Sequence, residues 1–205
     1  MTQFFTADQH FGHARIQYFE EKTRGHFEDV RDMDEFMIQM WNSKVKKDDV
    51  VYHTGDFALC SKLRKKEIIR QLNGYKILIR GNHDAGPLHG KEIGFDEVYN
   101  WMTLSLVRAD LPDKRILLIH EPTRYLKKMG DSNPFDYILC GHVHSNWKRL
   151  KNAINVGVDV WNFEPIELTT ALAVFQVDLT GAWDLQIERI PEWKGSTAAQ
   201  EIYSL

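Results

Sequence analysis

Residues 77–84 read Ile77-Leu78-Ile79-Arg80-Gly81-Asn82-His83-Asp84. Three large apolar residues in a row are too few for a helix, and without polar alternation they fit a short strand buried on both faces. The glycine that follows lets the chain turn sharply and approach closely before Asn82, His83 and Asp84. The same arrangement recurs four more times. Phe4-Phe5-Thr6-Ala7 precedes Asp8-Gln9-His10, Val50-Val51-Tyr52 precedes Gly55-Asp56, Ile116-Leu117-Leu118-Ile119 precedes His120, and Tyr137-Ile138-Leu139-Cys140 precedes Gly141-His142-Val143-His144. Ligands in open α/β sheets bind beyond the carboxyl ends of the strands, where loops converge on one crevice. Five strands delivering Asp, His or Asn at that edge predict one site.

Working outward, Met33, Phe36, Met37, Met40 and Trp41 are spaced as one face of a helix behind acidic Asp29 and Asp32. A second helix is expected from Ser61 as its cap, with Leu63, Ile68, Ile69 and Leu72 as the buried stripe and Asn73-Gly74 as its stop. Lys62, Arg64, Lys65 and Lys66 fall off that stripe and read as a solvated face in preference to a nucleic-acid patch. Beyond residue 100 the pattern favours strands with little helix, at Met102 to Val107, Ala153 to Val156, Ala171 to Val177 and Trp183 to Ile190. Strand and helix alternating first, then mostly strands, suits two packed sheets flanked by helices.

At 205 residues, with 43% hydrophobic and 12% aromatic content, the chain reads as one packed domain over residues 1–205, not as a disordered or fibrous sequence. No linker or repeat interrupts it. A formal net charge of −3 supplies no global field for nucleic acid or an acidic membrane. No apolar run approaches a membrane span and the first residues lack a signal-peptide pattern, so the cytoplasm is the expected compartment. Cys60 and Cys140 have no paired-motif spacing and are expected as reduced, packed thiols.

The residue types gathered after the strands are those of a metal site mixing oxygen and imidazole donors without thiolate. In their order, D-x-H, G-D, G-N-H-D, H and G-H-x-H, they resemble the calcineurin-like metallophosphoesterase superfamily, in particular small single-domain bacterial or phage-type members. The resemblance spans residues 8 to 144. It implies a four-layer α/β/β/α sandwich of two mixed sheets flanked by helices. It also implies two divalent ions, Mn²⁺ favoured, with Fe, Zn²⁺ or Ni²⁺ as other choices. By position, Asp8, His10, Asp56 and His144 would hold one ion. Asp56, Asn82, His120 and His142 would hold the other, with Asp56 shared. His83 would face the substrate phosphate as the catalytic histidine. Two such ions acidify water and neutralise phosphate oxygens, so hydroxide can attack phosphorus in line without a covalent enzyme intermediate.

Asp84 is read either as orienting an imidazole of the site or as a turn-forming residue. His13, in Asp8-Gln9-His10-Phe11-Gly12-His13, is close enough in sequence to reach substrate, and Arg124 carries a fork suited to a phosphate oxygen. Arg15 and Arg80 are lesser candidates for that role, and His53 reads as a satisfied core histidine. Trp147, Trp161 and Phe163 serve either as a crevice wall that stacks a nucleobase or as core. One departure from the family pattern narrows the field. Phosphoprotein phosphatases and symmetrical dinucleoside tetraphosphatases continue G-D into G-D-x-V-D-R-G, whereas this chain reads Gly55-Asp56-Phe57-Ala58-Leu59-Cys60-Ser61. The expected activity is hydrolysis of small phosphodiesters, with nucleotide-derived ones among the candidate substrates. The alternatives are a phosphomonoesterase, a nuclease of the same superfamily, and a non-catalytic protein-binding module. No membrane partner is expected, nothing points strongly to nucleic acid, and the oligomeric state, a homo-oligomer included, is left open.

Overall fold

The computed structural model describes residues 1–108, 111–175 and 186–190, the last as backbone only. In chain order the elements are β1 (Gln3–Thr6), α1 (Ile16–Phe19), α2 (Glu21–Arg24), α3 (Val30–Lys44), β2 (Val50–His53), α4 (Lys62–Gln71), β3 (Tyr75–Ile79), α5 (Pro87–Ile93), β4 (Glu97–Tyr99), β5 (Met102–Arg108) and β6 (Leu111–Leu118). There follow α6 (Pro122–Met129), β7 (Tyr137–Cys140), β8 (Arg149–Leu150), β9 (Ala153–Asn155), β10 (Ile166–Glu167), α7 (Leu168–Ala173) and β11 (Gln186–Ile190).

Two mixed sheets form. The first has the order β10-β1-β2-β3-β4, parallel except for β10, and the second the order β11-β5-β6-β7-β9-β8. In the second sheet β6, β7 and β9 run parallel. The uninterrupted apolar strands are explained by their two covered faces. Phe5, Tyr52, Ile77 and Ile79 pack between the sheets against Leu104, Ile116, Leu118 and Leu139. Their strand neighbours Phe4, Val51 and Leu78 pack outward against Met33, Met37 and Trp41 of α3 and Ile68 and Ile69 of α4. On the far side Leu117, Ile138 and Cys140 meet Tyr125 and Leu126 of α6. The layers are therefore α/β/β/α, as the resemblance implies.

Asp29 caps α3 by accepting the backbone N–H of Arg31 at 2.7 Å and of Asp32 at 3.0 Å. Ser61 caps α4, but the expected stripe is corrected in one place. Leu63 is 67% exposed, and Lys65 lies buried with Ile68, Ile69 and Leu72. A lysine can bury its methylene stem at such a position and keep the ammonium at the edge. Arg64 reaches back to Asp34 at 3.3 Å, so the basic face is not wholly solvated.

The expected strand over Ala171 to Val177 is also corrected. Residues 168–173 form α7, in which Leu168, Ala171 and Leu172 are buried against the inter-sheet core. That spacing of i, i+3 and i+4 is helical, and it outweighs the shorter apolar run. Residues 176, 177 and 183–185 of the two expected C-terminal strands lie outside the described residues. A further helix, α6, is added where no helix is expected from the sequence; it begins with Pro122 at its first turn, where a missing N–H costs nothing.

Candidate metal centre

All five motif segments leave carboxyl ends of strands at one edge of the two sheets. β1, β2 and β3 bring Asp8, His10, Asp56, Asn82 and His83 from the first sheet; β6 and β7 bring His120, His142 and His144 from the second. Five of these residues have left-handed backbones: Asp8 (φ 61°), His10 (φ 50°), Asp56 (φ 57°), His142 (φ 73°) and His144 (φ 47°). Non-glycine residues pay for that conformation and persist in it only where surrounding contacts over-determine it, as functional sites do. Gly81 is required for a different reason: a Cβ there would lie 2.2 Å from Asp56 Oδ1.

Two groups of donors result. Ligand-type atoms of Asp8, His10 and His144 lie within 4.8 Å of one another, as do those of Asp56, His120 and His142. The groups adjoin through Asp56, whose Oδ2 is 3.3 Å from His120 Nε2 and 3.5 Å from His10 Nε2. Asn82 Oδ1 enters the second group, 2.9 Å from both His120 Nε2 and His142 Nδ1.

The donor chemistry fits divalent ions. Both ring nitrogens of His10 are buried without a hydrogen-bond partner, and a cation would satisfy one of them. His120 Nδ1 lies 2.8 Å from the Thr54 carbonyl, which can only accept, so Nδ1 carries the proton. Its Nε2 then faces the oxygens of Asn82 and Asp56, an arrangement that needs a proton or a cation between them. In the ion-free chain the proton serves. Burial alone would lower the His120 pKa, but the hydrogen bond to Asp56 and the charge of Asp8 outweigh it and push it up to about 9. Burial pushes His10 down to about 2, hence neutral, and raises Asp8 to about 6. Burial would raise Asp56 too, but His120 and the His83 backbone N–H hold it well below the usual carboxylate range.

The supporting residues include two that sequence reasoning missed. Arg24, fully buried, donates from Nε and Nη2 to Asp159 at 2.7 Å each, and from Nη1 and Nη2 to the carbonyls of Gln9 (2.9 Å) and Asp8 (2.6 Å). Asp159 Oδ2, which accepts from Arg24 Nη2, also lies 3.0 Å from His144 Nδ1, leaving Nε2 toward the first group. One guanidinium thus grips both segments that build that group, as outer-shell partners of metal-binding imidazoles do. Asp159 had a legible signal: Gly157-Val158-Asp159 follows β9 in the way Gly-Asp follows β2. Arg24 sits among surface-type charges and had none.

Asp84 accepts the backbone N–H of Asp56 (2.8 Å), Gly81 (2.9 Å) and Phe57 (3.2 Å), so its carboxylate is spent on the loops rather than on an imidazole. His83 is exposed, its ring 5.4 Å from that of His10, and its N–H donates to Asp56 Oδ1. The half-buried ring of His13 lies 5.5 Å from His10. Arg124 is exposed on the first turn of α6, with Nε 4.0 Å from Glu121 Oε1. Arg80 donates to the carbonyls of Ala85 and Asp84 and to Asn100. His53 is a buried histidine 2.5 Å from Gln9 Oε1, as the sequence suggested. The tryptophans and Phe163 do not form a common wall. Phe163 is buried beside Phe27 and Phe36, Trp147 packs on the outer cluster, and Trp161 donates to the Asn155 carbonyl beneath Lys148.

The profile of the calcineurin-like phosphoesterase superfamily domain matches residues 25–166. The chain belongs to that superfamily. Membership implies a phosphoester hydrolase that uses divalent metal ions, and the two donor groups are candidate sites for them. An uncharacterized protein of Methanocaldococcus jannaschii is 30% identical over 174 residues, covering 80% of this chain and 86% of that protein. The gene 66 protein of Mycobacterium phage L5 is 37% identical over 189 residues, covering 77% and 86%. A crystal structure of a protein of unknown function from Aquifex aeolicus superposes with a TM-score of 0.66 at 26% identity, over 84% of this chain and 98% of that one. Among the described residues no helix is long and apolar enough to cross a membrane.

Proposed function

We propose that this superfamily member is a dinuclear phosphoesterase acting on small phosphodiesters. The observation that carries the reading is the pair of adjoining His/carboxylate groups meeting at Asp56. Asp8, His10, Asp56 and His144 would hold one ion and Asp56, Asn82, His120 and His142 the other; manganese suits this mixed O/N set. Bound divalent ions supply acidified water and compensation of phosphate charge. His83, exposed and anchored through its N–H to Asp56, donates a proton to the departing ester oxygen. Asp84 is a positioning residue that ties the Gly55-Asp56 loop to the Gly81-Asn82 loop through its three backbone partners. His13 and Arg124 contact the substrate. The preference for diesters rests on charge. Phe57 to Ser61 contains neither Asp nor Arg, so a dianionic monoester meets fewer cations, while a monoanionic diester gains most from a protonating histidine.

The test is hydrolysis of bis-p-nitrophenyl phosphate against p-nitrophenyl phosphate in Mn²⁺, corrected for uncatalysed rates, and then of cyclic nucleotides against nucleoside monophosphates. Higher kcat/KM for the diesters is expected in both pairs, and activity should vanish on exhaustive chelation. His83→Ala should retain its ions yet lose about 10²- to 10⁴-fold in rate, the usual worth of a positioned acid. Consistent preference for monoesters would overturn the diesterase assignment, and full activity without metal would overturn the dinuclear reading.

A further inference from the structure

Among the described residues three Phe, Trp or Tyr side chains are strongly exposed: Tyr18 at 80%, Phe19 at 55% and Tyr75 at 42%. Tyr75 lies at the far end of β3, where its hydroxyl donates to Glu97. Tyr18 and Phe19 are adjacent on α1, at the rim of the candidate centre. The His13 ring lies 5.5 Å from His10 on one side and 6.3 Å from Phe19 on the other, so an unbroken line of rings leads from the donor groups to the surface. Arg15 places its guanidinium 5.3 Å from the centre of the Phe19 ring, and Tyr18 meets that ring edge-on at 6.0 Å. The next residue, Glu20, accepts a hydrogen bond from Ser145 Oγ at 2.6 Å, which fastens this end of α1 to the segment bearing His142 and His144.

Single exposed apolar residues need no explanation, but two exposed aromatics with a cation, held on a short helix beside a phosphate-ester site, match the needs of a planar ligand group. An aromatic face stacks any nucleobase or aryl ring, and an arginine beside it adds attraction for both the π-system and a phosphate oxygen. We propose that Arg15, Tyr18 and Phe19 form the subsite for a planar aromatic ester group, a nucleobase or aryl ring, of a phosphodiester whose phosphorus lies at the candidate centre. This rests on the phosphoesterase reading and supplies its substrate class. The ring that stays on phosphorus stacks on Phe19, Tyr18 meets it at an angle, and Arg15 faces the intervening anionic oxygen.

Two esters with one leaving group isolate the retained group: bis-p-nitrophenyl phosphate keeps an aryl ring, and methyl p-nitrophenyl phosphate keeps a methyl group. The Mn²⁺-loaded full chain should favour the first after correction for uncatalysed rates. In Phe19→Ala that preference should fall about 10- to 100-fold, mostly through KM, the range expected from loss of one stacking partner. Phe19→Trp should restore it, and Tyr75→Ala should leave it intact. Calorimetric titration with adenosine 5′-monophosphate and ribose 5-phosphate gives a readout independent of turnover. Wild-type protein should bind the nucleotide more tightly, and Phe19→Ala should bind the two alike. An unchanged ester preference in Phe19→Ala, or equal binding of the two phosphates by wild-type protein, would overturn the subsite. Absent hydrolysis with the nucleotide preference retained would instead overturn the phosphoesterase reading and leave the subsite standing.

Discussion

The guanidinium of Arg24 makes four hydrogen bonds, two to the buried Asp159 carboxylate and one each to the carbonyls of Asp8 and Gln9, so its loss would leave that carboxylate without its cation. Asp159 transmits that grip to His144, and neither residue touches the second donor group directly in any contact described above. Asp159→Asn keeps the shape and removes the charge. It should weaken ion binding at Asp8, His10 and His144 about 10- to 100-fold, as loss of an outer-shell partner usually does, while the Asp56, His120 and His142 group keeps its ion. A two-site calorimetric titration with Mn²⁺ separates the outcomes, and equal weakening of both sites would show that Asp159 acts only on overall stability. Protons provide a second check. Ligands must be deprotonated to bind metal, so an ion entering the second group at pH 7 must displace the proton that His120, with its pKa near 9, still carries. His10, near 2, is already neutral and releases none, and Asp8, near 6, is mostly ionised and contributes a fraction. Burial would lower His144, but its hydrogen bond to Asp159 and the charge of Asp8 raise its pKa, so it adds a further share; roughly one to two protons per chain should therefore appear on loading at pH 7 and almost none at pH 10, with affinity rising across that interval. Titration in buffers of different ionisation enthalpy measures the count.

The secondary-structure elements differ in how openly they announce themselves. The five strands that carry the motifs are apolar on both faces because helices cover one sheet surface and the opposing sheet covers the other. α3 is legible because its stripe, its acidic first turn and its Asp29 cap agree. α7 was hidden, since Leu168-Thr169-Thr170-Ala171-Leu172-Ala173 supports both a strand and a helix and only docking on the inter-sheet core decides. The two possibilities make opposite demands on Ala173. In a strand Ala171 and Ala173 would share a face, whereas in α7 Ala171 is buried and Ala173 exposed. Ala173→Asp should change stability by no more than about 0.5 kcal/mol, as surface substitutions do, and Ala171→Asp should cost more than about 2 kcal/mol by burying an unpaired charge. Urea denaturation of the two variants is the measurement, and equal costs would favour the strand.

Across the whole molecule, the candidate centre is the seam between the sheets. Asp8, His10, Asp56 and Asn82 come from the first and His120, His142 and His144 from the second, so an ion held there links the two halves of the sandwich. A ligand that binds only the folded chain stabilises it by about 4 kcal/mol at a thousandfold excess over its dissociation constant. Mn²⁺ should therefore raise the Tm by several degrees and chelation should reverse the change, whereas Asp56→Asn should blunt it; a scanning calorimeter decides. A Tm indifferent to Mn²⁺ would mean that the ions do not bind the folded chain tightly. The order of residues was enough to show the buried strands and the two main helices, because strand runs and helical periodicity are written within a few positions, and the motifs' resemblance to the superfamily implied the seven candidate ligands. It did not show that Leu63 is exposed, that residues 168–173 are helical, that Phe163 is core, or that Arg24 and Asp159, separated by 135 positions, underpin the first donor group. Those outcomes depend on which surfaces meet after folding. A buried charge finds its partner by position in space, and no local pattern records that position.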